Sequence, residues 1–284
     1  MLLDNIYVIN LDKSTDRLKH IKQNFNDHHI KFKRFSAIEG KTINDNILND
    51  ETTIACRTIF CNYGIIGCAM SHIALWKQLI NDTTDYYIIL EDDSIIDNNF
   101  INTVNEINSI KNKLNFDILS LYCGPNLNCI QYENIHELSN GNIIGRPLYP
   151  LSMASYIINK NGAKKILSLL DKINYHIDFE VAWKSLFYDI NYFSLNNNII
   201  KHKWDTKSTI ETYGHKSILL FILEKLGFHE IYWILNLSAF TLFMKYTINV
   251  YLLLLIIILI LNMIWFKNTF LYVFTMLEII LYFC

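Results

Sequence analysis

Proline is scarce in this chain: 3 residues in 284, beside 9 glycines. That leaves no Pro-rich linker to separate subdomains, and no internal repeat is visible. Charge is also thin, at 18% of residues, and the formal net charge is -2. No global basic field exists, so nucleic acid is excluded as the expected partner. The 6 cysteines (Cys56, Cys61, Cys68, Cys123, Cys129, Cys284) form no CxxC pair and no zinc-ribbon half-site. Reduced, partly buried thiols in a reducing compartment are the expectation. Met1 to Leu11 has no basic leader and no long apolar run, so it reads as a first strand rather than a signal peptide.

What is abundant is apolar surface, at 51% of residues, and it is unevenly placed. Most charge precedes Lys216, whereas Ile218 to Cys284 is mainly Leu, Ile, Phe and Tyr. Val250 to Phe266 is broken only by Asn262, and Thr269 to Phe283 contains one acid, Glu278. Each run is short against the roughly 20 residues of a spanning helix. Joined at Lys267-Asn268, they read as a tight hairpin or as one span plus an interfacial helix. Ile218 to Met244 reads as a helix lying in the membrane interface, with Tyr232 and Trp233 at headgroup depth. The expected division is therefore 1–215 as a catalytic domain, 216–245 as an interfacial segment and 246–284 as a membrane-embedded tail. Such an order would keep the catalytic domain on the cytoplasmic face of a membrane, the inner one in a bacterium.

Before that tail, strand and helix signals alternate. Ile6 to Leu11 is a β-branched apolar run, followed by a turn and a helix from Ser14 or Thr15 to about Asn26. Phe32 to Phe35 is a second strand. Gly64 to Ile80 carries Ile65, Cys68, Ala69, His72, Leu75, Trp76 and Leu79 at helical spacing. Tyr86 to Leu90 is a buried strand, and later segments continue the pattern to a last strand at Tyr192 to Leu195. This alternation predicts an α/β domain with a mostly parallel, Rossmann-like sheet flanked by helices.

The Tyr86 strand stops at three consecutive acids, Glu91, Asp92 and Asp93. In open α/β sheets, ligands bind beyond the carboxyl ends of the strands. Adjacent carboxylates repel unless a cation intervenes, and a hard divalent ion could hold them and a diphosphate together. Alone, such a triplet equally suits a solvated loop leading into the next helix.

Its company points further. Tyr7-Val-Ile-Asn-Leu-Asp12 with Arg17, Arg34-Phe-Ser-Ala-Ile-Glu-Gly40, Gly67-Cys-Ala-Met-Ser-His72 with Leu75-Trp76, Leu90-Glu-Asp-Asp93, and Ala154-Ser-Tyr-Ile-Ile158 with Gly162-Ala163 occur in this order. Together they resemble glycosyltransferase family 25, over about residues 5 to 210. The resemblance implies a GT-A-type fold and a nucleotide-sugar donor, most often UDP-galactose. It also implies inversion at the anomeric carbon and Mn2+ or Mg2+ as cofactor.

The resemblance also distributes roles. Asn10, Asp12 and Arg17 would border the nucleotide pocket, with Arg17 free to pair either with phosphate or with Asp12 and Asp16. Glu39 stands where the family has Asp before Gly, and would meet ribose hydroxyls or serve a turn. Ser71 and His72 would hydrogen-bond in the donor site, although a lone His on the apolar side of a helix is usually a satisfied core residue. Asp93 would ligate the metal directly, with Asp92 or Glu91 on ribose or metal-bound water, and His202 would be a late metal ligand. Asp178, or Glu180 after it, would deprotonate the acceptor, although Asp is also a common helix cap.

The expected activity is that of an inverting, metal-dependent galactosyltransferase acting on a lipid-linked or surface glycan of the lipooligosaccharide type, beside membrane lipid. The competing expectation is a catalytically inactive, glycosyltransferase-like membrane module that binds or scaffolds.

Overall fold

The computed structural model describes residues 1–123, 129–148, 150, 152–202, 217–228, 232–235, 238–242 and 246–283. They form two compact units, each assembled from separated stretches of chain. One comprises Met1–Glu39, Gly67–Asp171 and Ile177–Thr209; the other comprises Gly40–Ile66, Lys172–His176 and Ile210–Cys284. The second unit thus takes in stretches well before residue 215, which the linear division assigned to the catalytic domain.

The first unit opens with β1 (Ile6–Asn10), α1 (Thr15–Asp27) and β2 (Lys33–Ser36), then receives most of α3 (Tyr63–Asn81). Next come β3 (Tyr86–Glu91), β4 (Ser94–Ile96), α4 (Phe100–Leu114) and β5 (Ile118–Ser120). A hairpin of β6 (Gln131–Glu137) and β7 (Ile143–Pro147) leads to β8 (Ser155–Asn159) and α5 (Lys160–Leu169). The unit closes with α6 (Ile177–Phe187), β9 (Tyr192–Leu195) and β10 (Ile200–His202).

An eight-stranded sheet runs in the order β2-β1-β3-β8-β5-β9-β7-β6. β2, β1, β3, β5, β9 and β6 share one direction; β8 and β7 oppose it. The sheet is therefore mixed but mostly of one direction, as the alternation of strands and helices implies. Strand alternation sorts its side chains onto two faces. Ile6, Val8, Ile88 and Leu90 pack in one cluster with Ile21 and Phe25 of α1 and with Phe100, Val104 and Ile107 of α4. The opposite face carries Tyr7 and Tyr87, their rings 4.3 Å apart, and Gln78 of α3 donates to the Tyr87 hydroxyl at 3.0 Å. Tyr156 pairs with Ile89 and so lies on this α3 face, as does Glu91, two residues beyond Ile89.

Two small residues in the family-like motifs have packing reasons. A Cβ on Gly162 would lie 2.5 Å from the Asp117 carbonyl oxygen, where α5 starts under the Asn159 cap. A Cβ on Gly40 would lie 1.8 Å from the Tyr63 carbonyl oxygen, within the second unit.

That second unit contains α2 (Asp45–Glu51), a π-helical turn (Cys56–Phe60), α7 (Ile218–Lys225) and α8 (Tyr232–Leu235). It also contains a hairpin of β11 (Ser238–Leu242) and β12 (Tyr246–Asn249), then α9 (Val250–Leu261) and α10 (Thr269–Phe283). The expected single interfacial helix over Ile218 to Met244 is not formed: two short helices and a strand occupy that stretch. Among the described residues no helix is long and apolar enough to cross a membrane. The tail forms two helices, as the hairpin reading of the sequence has it, joined by a turn that Asn262 and Asn268 lock, each donating to the other at 2.9 Å. α10 packs against the π-helical turn, where Thr58 donates to the Tyr282 carbonyl at 2.9 Å. Apolar composition serves a packed helix pair as readily as a bilayer span, and Glu278 is turned into that packing.

The cysteines also depart from expectation. Cys56 bonds to Cys61 and Cys123 to Cys129, while Cys68 is free; Cys284 lies outside the described residues. The pairs lie close in sequence without any CxxC spacing, which is why spacing did not reveal them.

Candidate active site

The three acids leave the end of β3 in three directions, and each finds different partners. Glu91 is the last strand residue; its N–H donates to the Ala154 carbonyl at 2.9 Å, and its side chain falls on the α3 face. There Cys68 and His72, one helical turn apart, both approach Oε1, at 3.8 Å from Sγ and 3.5 Å from Nε2.

Asp92 is buried, and the protein engages both its oxygens. Asn10 donates to Oδ2 at 2.7 Å and Arg17 to Oδ1 at 2.8 Å. Asn10 is itself oriented by Arg34, whose Nε donates to Oδ1 at 2.8 Å. β1 lies beside β3 with Ile9 opposite Glu91, which puts Asn10 level with Asp92. Both Asp92 oxygens thus already accept from the protein, at the position to which the resemblance gave ribose or metal-bound water.

Asp93 differs again. Arg17 reaches Oδ2 at 3.5 Å, while Oδ1 sits 3.0 Å from His202 Nε2. Oδ1 is buried and makes no hydrogen bond among the described residues. His202 arrives through the antiparallel pair of β4 and β10, which sets Ser94 opposite His202. Burial alone would depress the His202 pKa, but the Asp93 carboxylate 3.0 Å away, with the charge of Glu91 added, raises it above its ordinary value. The Tyr122 ring stacks on His202 at 5.6 Å between centroids. Its buried hydroxyl has no hydrogen-bond partner among the described residues, and burial followed by the Asp93 charge pushes its pKa up to about 12.

Glu91, Asp93 and His202 each offer one ligand atom, all within 4.8 Å of one another. Two carboxylate oxygens and an imidazole nitrogen fit a hard divalent cation of the Mn2+ type, with positions left for phosphate oxygens or water. The buried, unbonded Asp93 Oδ1 fits the same assignment: a carboxylate oxygen out of water needs a donor or a cation. A shallow cleft beside the acids is lined by Arg17, His20 and Asn24 of α1 with Asp93, Ser94 and Ile95.

The remaining candidates divide. Asp178, in the first turn of α6, accepts the Met153 N–H at 3.2 Å. Burial, then the charges of Glu91, Asp178 and Asp93, hold the Cys68 thiol well above its usual range, so these carboxylates share one neighbourhood. Glu180 forms an ion pair with Lys184 one turn along α6. Asp12 accepts from Arg34 and Ser36, and Arg34 first, then Ser36, hold its pKa below the usual carboxylate value. Glu39 pairs with Lys13. The buried Ser71 hydroxyl donates to the Gly67 carbonyl at 2.7 Å and accepts the Ile38 N–H at 2.9 Å, so it ties α3 to the chain after β2. Cys68, Arg34 and Tyr122 were not foreseen as site residues. Cys68 was legible from its i,i+4 relation to His72, and Arg34 stands inside a motif that drew attention to its Glu and Gly instead.

The model of glycosyltransferase family 25 (LPS biosynthesis protein) matches residues 3–181. The chain belongs to glycosyltransferase family 25. Within this family, it is 25% identical over 203 residues to the lipooligosaccharide biosynthesis protein lex-1 of Haemophilus influenzae, covering 60% of this chain and 65% of that one. It is 26% identical over 183 residues to a glycosyltransferase 25 family member of Drosophila melanogaster, covering 60% and 29%. It is 24% identical over 174 residues to human procollagen galactosyltransferase 2, covering 59% and 28%. The chain thus spans less than two thirds of the length of these family 25 relatives.

Proposed function

We propose that this family 25 chain is a metal-dependent glycosyltransferase that holds the diphosphate of a nucleotide sugar at Glu91, Asp93 and His202. The convergence of those three ligand atoms within 4.8 Å, one of them a buried oxygen without a hydrogen bond, carries the reading. Mn2+ or Mg2+ bound there would neutralise charge that grows on the departing diphosphate. Arg17, bridging Asp92 and Asp93, is placed to pair with a phosphate oxygen in the cleft beside it. The Tyr122 hydroxyl, kept protonated by burial, is a further donor.

In the transfer itself, the acceptor oxygen bonds to the anomeric carbon as the carbon–diphosphate oxygen bond breaks. The acceptor proton passes to Asp178, and the nucleoside diphosphate leaves with the bonding pair, inverting the centre. The backbone N–H of Met153 steadies the Asp178 carboxylate for that task. UDP-galactose is the proposed donor and a glycan or glycolipid the proposed acceptor, in keeping with the names of the human and Haemophilus relatives. Exposed Trp265, Phe266 and Phe270 between and along the last two helices suit association with a lipid surface. The two disulfides favour an oxidising compartment, which pulls against the cytoplasmic face expected from sequence.

A transfer assay with UDP-galactose and Mn2+ tests the reading. Turnover that vanishes with chelator and in Asp93→Ala supports it; turnover unchanged in both overturns it. Donor binding without turnover, unaffected by Asp178→Asn, would identify an inactive binding module instead.

A further inference from the structure

A second group of potential ligands, Cys68, His72 and Glu91, lies on the α3 side of the acids, and its hydrogen bonds reveal what it does. Trp76, His72 and Tyr156 are all fully buried. Trp76 Nε1 donates to the Tyr156 hydroxyl at 2.9 Å, and His72 Nδ1 lies 2.8 Å from the same oxygen. An indole N–H only donates, so the Tyr156 oxygen must accept from Trp76. The phenolic hydrogen then needs an acceptor of its own, and His72 Nδ1 is the one the described residues provide. Were Nδ1 protonated, the Tyr156 oxygen would receive two hydrogens while its own hydrogen stayed buried without a partner, at a cost of about 1–3 kcal/mol.

Nδ1 is therefore the bare nitrogen, and the ring hydrogen sits on Nε2, which faces Glu91 Oε1 at 3.5 Å. A neutral imidazole in this tautomer has no lone pair on Nε2 to give a metal. Cys68, its thiol kept protonated by burial and by the surrounding acids, donates to the same oxygen at 3.8 Å. Both side chains thus act as donors to Oε1, and Oε2 has no hydrogen-bond partner among the described residues.

We infer that Tyr156, backed by Trp76, is a positioning residue: it fixes His72 as an Nε2–H donor that steers Glu91 so that one carboxylate oxygen is held and the other is presented to the ion. The consequence is one metal site rather than two, built on Glu91, Asp93 and His202. This rests on the reading of Glu91 as a metal ligand, but the tautomer itself does not.

Two measurements separate the two claims. Two-bond nitrogen–proton NMR correlations of the histidine rings, on the metal-free wild-type protein, report the tautomer directly. A neutral His72 with its hydrogen on Nε2 is expected; a hydrogen on Nδ1, or on both nitrogens, overturns the inference whatever the protein binds. Mn2+ titration of variants then reads the positioning. Tyr156→Phe and His72→Leu are expected to weaken Mn2+ by about 10–100-fold, as is usual for residues that orient a ligand. His72→Gln, whose amide N–H2 reaches the place of Nε2–H, is expected to restore affinity to within a few-fold. Equal loss in His72→Gln and His72→Leu, or a stoichiometry of two ions, contradicts it. Should Tyr156→Phe fail to fold, the wild-type spectrum and the His72 pair still decide. No Mn2+ binding by wild type, with the Nε2–H tautomer present, would defeat the metal reading and leave the relay standing.

Discussion

Two regions of this protein treat a carboxylate in opposite ways. Glu278, in the apolar helix pair near the C-terminus, is fully buried, and its two oxygens accept from the Leu219 N–H at 2.8 Å and the Tyr251 hydroxyl at 2.6 Å. Tyr251 is in turn within 2.9 Å of the Ser217 hydroxyl, which caps Leu220 at 3.0 Å. Every polar group in that clasp is answered by a neighbour. At the end of β3, by contrast, Asp93 is left with a buried oxygen that makes no hydrogen bond, among acids whose charges Arg17 only partly offsets. A carboxylate that serves structure has its bonding capacity filled; one that serves a ligand keeps capacity open and tolerates the repulsion.

The largest effect expected from breaking this contrast is on activity. Asp93→Asn should lower metal-dependent transfer by about 10²–10³, the range for losing a group that meets developing charge. Above the raised His202 pKa, the same change should leave the melting temperature of the metal-free protein equal or higher, because it removes a repelling charge. Glu278→Ala should do the reverse. It leaves the Leu219 N–H unanswered and the Tyr251 hydroxyl with Ser217 alone, and should cost about 1–3 kcal/mol in denaturant unfolding, while Mn2+ affinity stays unchanged.

A pH series sharpens the contrast next. The raised His202 pKa contributes stability to the metal-free protein that is fully present below the unfolded histidine value, about 6.5. That contribution is lost as pH rises through the higher folded value. Mn2+ should show the opposite trend, since a ligating imidazole must be neutral. Metal affinity should fall as pH drops through the raised pKa, and His202→Gln should abolish both trends. The smallest effect concerns the brace. Arg34→Ala releases Asn10 and, through it, Asp92; about 1 kcal/mol of stability and a few-fold in donor KM are expected.

How far the sequence disclosed this depends on the length scale of each signal. β3 and α3 were readable because Tyr86 to Leu90 and the Ile65 to Leu79 spacing each carry their own period, and both elements end within a residue of expectation. β4 and β10 are three residues each, too short to show a period, so the pairing of Ser94 with His202 was not legible. Asp93 and His202 were nonetheless picked as ligands through the family resemblance, while Glu91 and Asp92 were assigned without knowing which way each side chain leaves the strand. Alternation beyond Ile89 was enough to place Glu91 on the α3 face. The tail was legible as a helical hairpin turning at Lys267-Asn268, but its packing was not. Leu, Ile and Phe report burial but not whether the burial is in lipid or against other helices, and the inward clasp of Glu278 became visible only with Tyr251 and Ser217 in place.

The account rests on the claim that Glu91, Asp93 and His202 form one divalent-cation site while Asp92 braces it. Electron paramagnetic resonance titration of Mn2+ into the wild type and into Glu91→Gln, Asp93→Asn, His202→Gln and Asp92→Asn tests this directly. One bound ion in the wild type, lost in the first three variants and retained with modest weakening in Asp92→Asn, is the predicted result. Binding abolished by Asp92→Asn and kept in Glu91→Gln would contradict it.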